Sequence, residues 1–512
     1  MKTDRWLIAT IAFSILASLV SFAYIFHQHE VTTFADARSR LIIARGVVDS
    51  LNPGIEQTGA PWLPTQLLAT AMTAKINFMY KSGLSGALVS MISFVCMSYF
   101  SYKLSRLVFE DSAAAFIGVI AMAGPNVLYM QAVPMAEVPF LAFLSGSFYY
   151  LARFLYKKEA GNFLAGIFLA GAMMTRYEGW IIFFAFSAIV GISIWRQKES
   201  TLAEVIFWMT RFALCPIVVV LVWFIYNQAI LGDWLYWYHG QYAAAAYAGA
   251  AGSGNLTTAG KPFLSLETFG LTTLDSLGYI VSALTVLGVL SFAFFKTQGM
   301  VKILAFSLLL PFPIFVLLTY QGGSVVILHP VLMRGANWGT RYGITMCLSA
   351  SFFVGYLAHF SRRLRIQALL VPLIVASFVF TIHTGVISYK EATESKSGEQ
   401  AAILRTAGDW LATHYDGGHI LMQRGNNTDA FYELTKNIKS RHVVHEGNRD
   451  YWKDSFKNPV GNRWIFMKEA GSDAIYGKYE NSPVIEDRYT LVFQAPGVKI
   501  YQLKEMEALS GK

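Results

Sequence analysis

The chain has 512 residues, 54% hydrophobic and only 14% charged, with a formal charge of +9 and a mean hydropathy of +0.43. A soluble fold needs roughly a quarter of its residues charged to cover its surface, so lipid must replace water over much of this one. Lys and Arg gather at the ends of apolar runs and form no stripe interleaved with aromatics, which argues against nucleic acid as a partner.

Apolar runs long enough for a membrane helix, or nearly so, predict about eleven spans, at 6–26, 84–104, 113–130, 138–153, 161–176, 179–195, 212–231, 277–295, 303–320, 343–360 and 367–387. The first run is too long for a signal-peptide core, and no small-residue cleavage site follows it. With the N-terminus inside, every inner tip is basic: Lys2 and Arg5; Lys103 and Arg106; Arg153, Lys157 and Lys158; Arg196 and Lys198; Lys296 and Lys302; Arg362, Arg363 and Arg365. The first outer loop, 27–82, breaks the rule with Arg38, Arg40, Arg45, Lys75 and Lys81. Within it, 61–80 is apolar on one face and reads as an interfacial helix. The expected domains are a transmembrane part, 1–387, and an outer part, 388–512.

Composition changes abruptly near 388. Strands are expected at 418–423, 441–445, 464–468 and 491–494, and helices at 401–414 and 429–436. These describe a small α/β domain of about 120 residues, large enough for its own core. The fold class is therefore a polytopic α-helical membrane protein with a C-terminal α/β soluble domain.

A few polar residues sit where lipid makes them costly. Asp36 lies between the first span and Arg38 and Arg40, and either acts as a base or pairs with a neighbouring Arg. Glu137 opens the fourth span, where the helix dipole favours it and the edge of the hydrocarbon does not. Arg176, Tyr177 and Glu178 form a short outer hairpin. Arg334, Arg341 and Tyr342 precede the tenth span, close to His329. The guanidinium fork suits phosphate oxygens, and it also snorkels to ordinary phospholipid. Trp234, Tyr236, Trp237, Tyr238 and Tyr242 read first as an interfacial belt and second as a surface for sugar rings. The stretch 248–260 reads as a flexible loop. The three cysteines, Cys96, Cys215 and Cys347, all lie in apolar runs, so neither a disulfide framework nor a thiolate metal site is expected. There is no P-loop, no dinucleotide fingerprint after a strand and no zinc spacing.

Taken together, the layout and motifs resemble the GT-C glycosyltransferases, in particular the bacterial protein mannosyltransferase-like proteins and the lipid A aminoarabinose transferases. Asp36 with the turn Asn52-Pro53-Gly54 resembles the family's catalytic first loop, and Trp62-Leu63-Pro64-Thr65 its trailing aromatic–Pro element. Met135-Ala136-Glu137-Val138-Pro139 resembles the acid motif of the second outer loop. Thr175-Arg176-Tyr177-Glu178-Gly179 resembles an element of the third, and Arg341-Tyr342 an Arg-Tyr pair before a late span. One departure is Ala37 after Asp36, where many relatives carry Asp-Glu, and there is no Asp-x-Asp.

The resemblance implies a hexosyl or pentosyl transferase of the cell envelope, in a bacterial inner or plasma membrane with its C-terminal domain outside. Its donor would be a polyprenyl-phosphate sugar, and its acceptor a hydroxyl on a glycan, lipid or protein. Asp36 would be the catalytic base. Arg38, Arg176 and Arg341 would contact phosphate, and Glu137 would orient an Arg or bind acceptor. Glu178 and Tyr342 complete the expected substrate-binding set. No metal site is assigned and no cofactor is required, although a divalent metal is left open. A flippase of lipid-linked sugar and a non-catalytic scaffold are the rival classes.

Overall fold

The computed structural model describes residues 4–59, 62–157, 161–197, 200–240, 243, 258–297, 299–322, 325–333, 337–362 and 366–504. The chain forms two compact units. The first is Met1–Val31, Ala60–Gln66 and Ala87–Glu391; the second is Thr32–Gly59, Leu67–Gly86 and Ala392–Lys512. The expected boundary at 387/388 grouped the whole first loop with the spans, whereas 32–59 and 67–86 fall with the C-terminal unit.

Seven described helices are long and apolar enough to cross a bilayer: Arg5–His27, Leu84–Phe109, Glu137–Tyr156, Glu178–Trp195, Leu202–Leu231, Thr340–Arg362 and Gln367–Ser397. Three bent pairs raise the number to ten if each is one span. Ser112–Met122 meets Pro125–Gln131 at 74°, and Gly299–Leu309 meets Pro311–Gln321 at 42°. In both, proline lacks the N–H that would continue the helix. Pro262–Leu277 meets Tyr279–Ala293 at 107°. The first member of that pair was not expected, because Ser265, Glu267, Thr272, Thr273, Asp275 and Ser276 hide its apolar face. The run expected at 161–176 is the helix Gly161–Met173, whose 13 residues fall short of the roughly 20 that span hydrocarbon. The chain is an integral membrane protein, with seven to ten candidate spans among the described residues where the sequence suggested eleven.

Helices in lipid gain little from hiding apolar surface against one another, so close backbone contact matters more. A Cβ at Gly118 would lie 2.1 Å from the Ser351 carbonyl oxygen. Ser112–Met122 and Cys347–Arg362 therefore touch backbone to backbone, and any larger residue at 118 would force them apart.

The second unit holds a five-stranded sheet in the order β2-β1-β3-β5-β4. The strands are β1 (Ile420–Leu421), β2 (Val443–Val444), β3 (Trp464–Lys468), β4 (Tyr489–Ala495) and β5 (Val498–Leu503). β1 runs parallel to β2 and β3, and β5 pairs antiparallel with β3 and β4. Alternation along β3 explains the two cores: Trp464 and Phe466 face the helices Glu399–His414 and Thr428–Asn437, while Ile465 and Met467 join Ile475, Tyr479 and Ile485. The expected strands and helices are present, with β1 and β2 shortened to two residues each. β5 was not foreseen; it follows the tight turn at Gly497, whose φ is 77°.

The first loop belongs to this unit for a physical reason. Leu41, Ile42 and Tyr80 pack into the core with Phe431 and Trp464, and Leu51 packs against the opposite core. Between them the loop brackets β2, the edge strand. Arg441 Nε, just before β2, donates to Asp49 at 2.8 Å. Just after β2, Gln57 Nε2 donates to the Gly447 carbonyl at 3.0 Å, and Asn448 Nδ2 to Asn52 Oδ1 at 2.7 Å. An open edge is a template for unwanted strand pairing, and the loop guards this one.

His445, directly after β2, is buried. Its Nδ1 accepts the Gly447 N–H at 3.1 Å. Burial, and then the nearby Arg424 charge, hold its pKa well below 6.5. The unfolded chain therefore takes up a proton near pH 6.5 that the folded chain refuses. This contribution to stability is complete above about pH 6.5 and is lost as pH falls below it. His445→Asn keeps an acceptor suited to a helix start but does not titrate. Thermal unfolding of the full chain at about pH 7.5 and 5.5 should show a smaller acid loss in the variant; equal losses would remove His445 as the cause.

Candidate functional site

Glu137 is the first residue of the helix Glu137–Lys157. Its place at a helix N-terminus favours the carboxylate, and Pro139 in the first turn removes an N–H that has no helical partner there. Arg176 lies in the turn between Gly161–Met173 and Glu178–Trp195, and Glu178 opens the second of these helices. Gly179 allows the turn to be this tight, since a Cβ there would stand 3.0 Å from Met173 backbone atoms. Arg341 and Tyr342 lie on the 3-10 helix Thr340–Met346.

These elements bring together Glu137, Arg176, Glu178, Arg341 and Tyr342 within the first unit. Arg176 Nη1 meets Glu137 Oε1 at 2.8 Å, and its Nη2 meets Glu178 Oε1 at 2.6 Å. Its Nε also faces Glu178, at 3.2 Å from Oε2. Arg341 Nε lies 3.3 Å from Glu137 Oε1. Both guanidiniums lie beside the Tyr342 ring, with Cζ at 4.9 and 5.1 Å from its centre. Phe315 stacks on that ring at 5.3 Å.

Sequence reading missed a third acid, Glu391. It pairs with Arg341 Nη1. It also accepts the Gly339 N–H at 3.0 Å, the Arg341 N–H at 2.9 Å and the Thr340 hydroxyl at 3.0 Å. It is buried. Glu391 therefore fixes both the backbone and the side chain of Arg341.

Among the described residues the cluster brings together three carboxylates and two guanidiniums. Burial opposes the Arg176 charge, but Glu178 and then Glu137 more than offset it, so its pKa lies above the ordinary arginine value. All three Arg176 nitrogens face carboxylates, so that it ties two helix starts together. Glu137 orients two arginines rather than one. Arg341 is likewise held from two sides, by Glu137 and Glu391.

Asp36 and Arg38 lie in the second unit, on the helix Ala35–Val48. Asp36 is in the first turn and half-buried. Arg38 was expected at a phosphate. The structure instead buries it, with Nη2 at 2.9 Å from Asp429 and Nη1 donating to the Thr32 and Thr33 carbonyls at 2.7 and 2.8 Å. Burial lowers its pKa, and Asp429 acts in the opposite direction.

Trp237 stacks on Tyr177 at 4.9 Å and packs beside Trp180, while Trp234 and Tyr238 are exposed. Tyr242, Arg334 and most of 248–260 lie outside the described residues. Among the described residues no group of three or more His, Cys, Asp or Glu side chains is arranged to hold a metal ion.

Residues 64–223 match the dolichyl-phosphate-mannose-protein mannosyltransferase family. The oligosaccharyltransferase of Archaeoglobus fulgidus, solved tethered to an acceptor peptide, superposes with a TM-score of 0.50 at 10% identity, over 98% of this chain and 74% of that one. The oligosaccharyltransferase AglB from Archaeoglobus fulgidus, in complex with an inhibitory peptide and a dolichol-phosphate, gives 0.43 at 12% identity over 98% and 74%. ArnT from Cupriavidus metallidurans in the apo state gives 0.47 at 12% identity over 98% of both chains. No curated protein matches the sequence. The fold is similar to that of the archaeal oligosaccharyltransferase, and the family match over 64–223 agrees with the GT-C resemblance read from the sequence.

Proposed function

We propose that the protein transfers a sugar from a polyprenyl-phosphate donor to an acceptor hydroxyl. The observation that carries this reading is the family match over 64–223, a stretch that contains Glu137, Arg176 and Glu178. The acceptor oxygen attacks the anomeric carbon, and its proton passes to the Asp36 carboxylate. The bond from that carbon to the phosphate oxygen breaks, and polyprenyl phosphate leaves with the electron pair. A single displacement inverts the anomeric carbon, unlike the paired-carboxylate chemistry of retaining glycosidases. Arg341 stabilises the charge that grows on the leaving phosphate. Glu137 and Glu391 hold it in place. Incubating the purified protein with a panel of radiolabelled polyprenyl-phosphate sugars tests the reading; no transfer from any donor to lipid, glycan or protein would oppose it.

Arg341→Lys keeps the charge but loses the fork that suits phosphate. Loss of a charge-assisted hydrogen bond costs about 1.5 to 3 kcal/mol, roughly ten- to a hundredfold in apparent donor affinity. Arg362→Lys is the control, since Arg362 is 71% exposed and pairs with Asp111 at 3.3 Å. Equal donor titrations for the two variants would remove Arg341 from the site.

The reading also places the C-terminal unit outside the cell membrane. A reporter fused after Lys512 should be active only in a form that requires export, and cytoplasmic activity would overturn the orientation.

A further inference from the structure

The helix that carries Asp36 has no side-chain cap at its start: Phe34 occupies that position and offers no acceptor. An uncapped first turn frays unless other groups hold it. Here the holding groups come from the C-terminal part of the same compact unit. Arg38 folds back so that Nη1 donates to the Thr32 and Thr33 carbonyls, the two residues that lead towards the helix. Its Nη2 is drawn to Asp429, in the first turn of Thr428–Asn437. Two neutral contacts assist. The Ala35 N–H donates to Ser395 Oγ at 3.3 Å, and Ser39 Oγ to Thr428 Oγ1 at 3.3 Å. Asp429 is itself steadied by Arg405 Nη1 at 3.2 Å, and Arg405 Nη2 donates to the Lys396 carbonyl at 3.0 Å.

The chain of contacts thus runs from Lys396 and Arg405 through Asp429 to Arg38 and the turn bearing Asp36. Each ionic link is at least partly buried, where it is screened less than at an open surface. The hydrophobic contacts of Leu41 and Ile42 dock the helix body, and Phe34 and Ala37 are buried at its start. The charged links add to this packing at the first turn.

We propose that Asp429 is a positioning residue for Asp36, acting through Arg38, and that the C-terminal α/β unit serves to hold the first-loop base at its working angle. This rests on the reading of Asp36 as the base. Asp429 touches no substrate and moves no proton. Its effect is on how often Asp36 stands correctly when donor and acceptor are bound, so it changes turnover rather than donor binding.

The test uses the full-length protein with Asp429→Asn, Arg38→Gln and the double variant. Asn keeps the size of Asp but not its charge. A misplacement near 1 Å can cost up to about a hundredfold in rate, so Asp429→Asn should lower kcat roughly ten- to a hundredfold. Donor KM should stay within about twofold, as expected when ground-state binding is untouched. Because the residues act in series, the double variant should lose no more than the worse single variant. Amide hydrogen exchange should rise over 35–40 and not over 44–48. Unchanged kcat and unchanged exchange in Asp429→Asn, with an active wild type and a dead Asp36→Asn, would overturn this proposal and leave the proposed function standing. Equal falls in kcat accompanied by exchange raised throughout the unit would show general loosening and also overturn it. A wild type that transfers no sugar would overturn the catalytic reading itself, and the positioning role with it.

Discussion

Asp36→Asn is expected to lower sugar transfer by about 10²–10⁴-fold, the usual contribution of a general base, while expression and donor binding stay largely intact. Asn preserves the shape of the side chain and takes up no proton at neutral pH. Asp36 is half-buried in the first turn of its helix, so the substitution removes charge without opening a cavity. Initial rates with saturating labelled donor give the answer. A variant that keeps more than roughly a tenth of the wild-type rate would show that another group accepts the proton.

Glu391→Ala should produce the largest loss of stability. This one carboxylate receives the Arg341 guanidinium, two backbone N–H groups and the Thr340 hydroxyl. Removing one partner of a buried pair leaves the other charge uncompensated, at a cost of about 3–5 kcal/mol. Glu137 remains 3.3 Å from Arg341 Nε and offsets part of this, so the lower end of that range is expected. The variant should unfold several degrees below wild type in detergent, and its donor affinity should fall as Arg341 loses its fixed orientation. A midpoint within a degree of wild type would mean that Glu391 is replaceable by solvent.

The spans were legible because apolar length is written directly in the sequence. So were Glu137, Arg176, Glu178 and Arg341, each standing out as a charge at the margin of an apolar run. Glu391 was not. It sits in 387–397, Ile-Ser-Tyr-Lys-Glu-Ala-Thr-Glu-Ser-Lys-Ser, where an acid beside lysines looks like a solvated helix face. Its burial follows from the return of Gly339–Arg341 against it, a contact about fifty positions away in sequence. The pairing of Arg38 with Asp429 was hidden for the same reason. An arginine in a loop near a membrane looks ready for phosphate, and only the fold shows that Asp429 already takes it. The bent pair at Gly278 was half visible: Tyr279–Ala293 is plainly apolar, whereas Pro262–Leu277 hides its buried Phe269 and Leu277 among hydroxyl and acidic residues.

The most direct test of the central claim is the anomeric configuration of the product. Wild-type protein and Asp36→Asn are each given the donor that proves active in the panel, and the transferred sugar is examined by NMR. The account predicts transfer by the wild type with inversion at the anomeric carbon, and almost none by the variant. Retention of configuration, or transfer by Asp36→Asn at the wild-type rate, would contradict it.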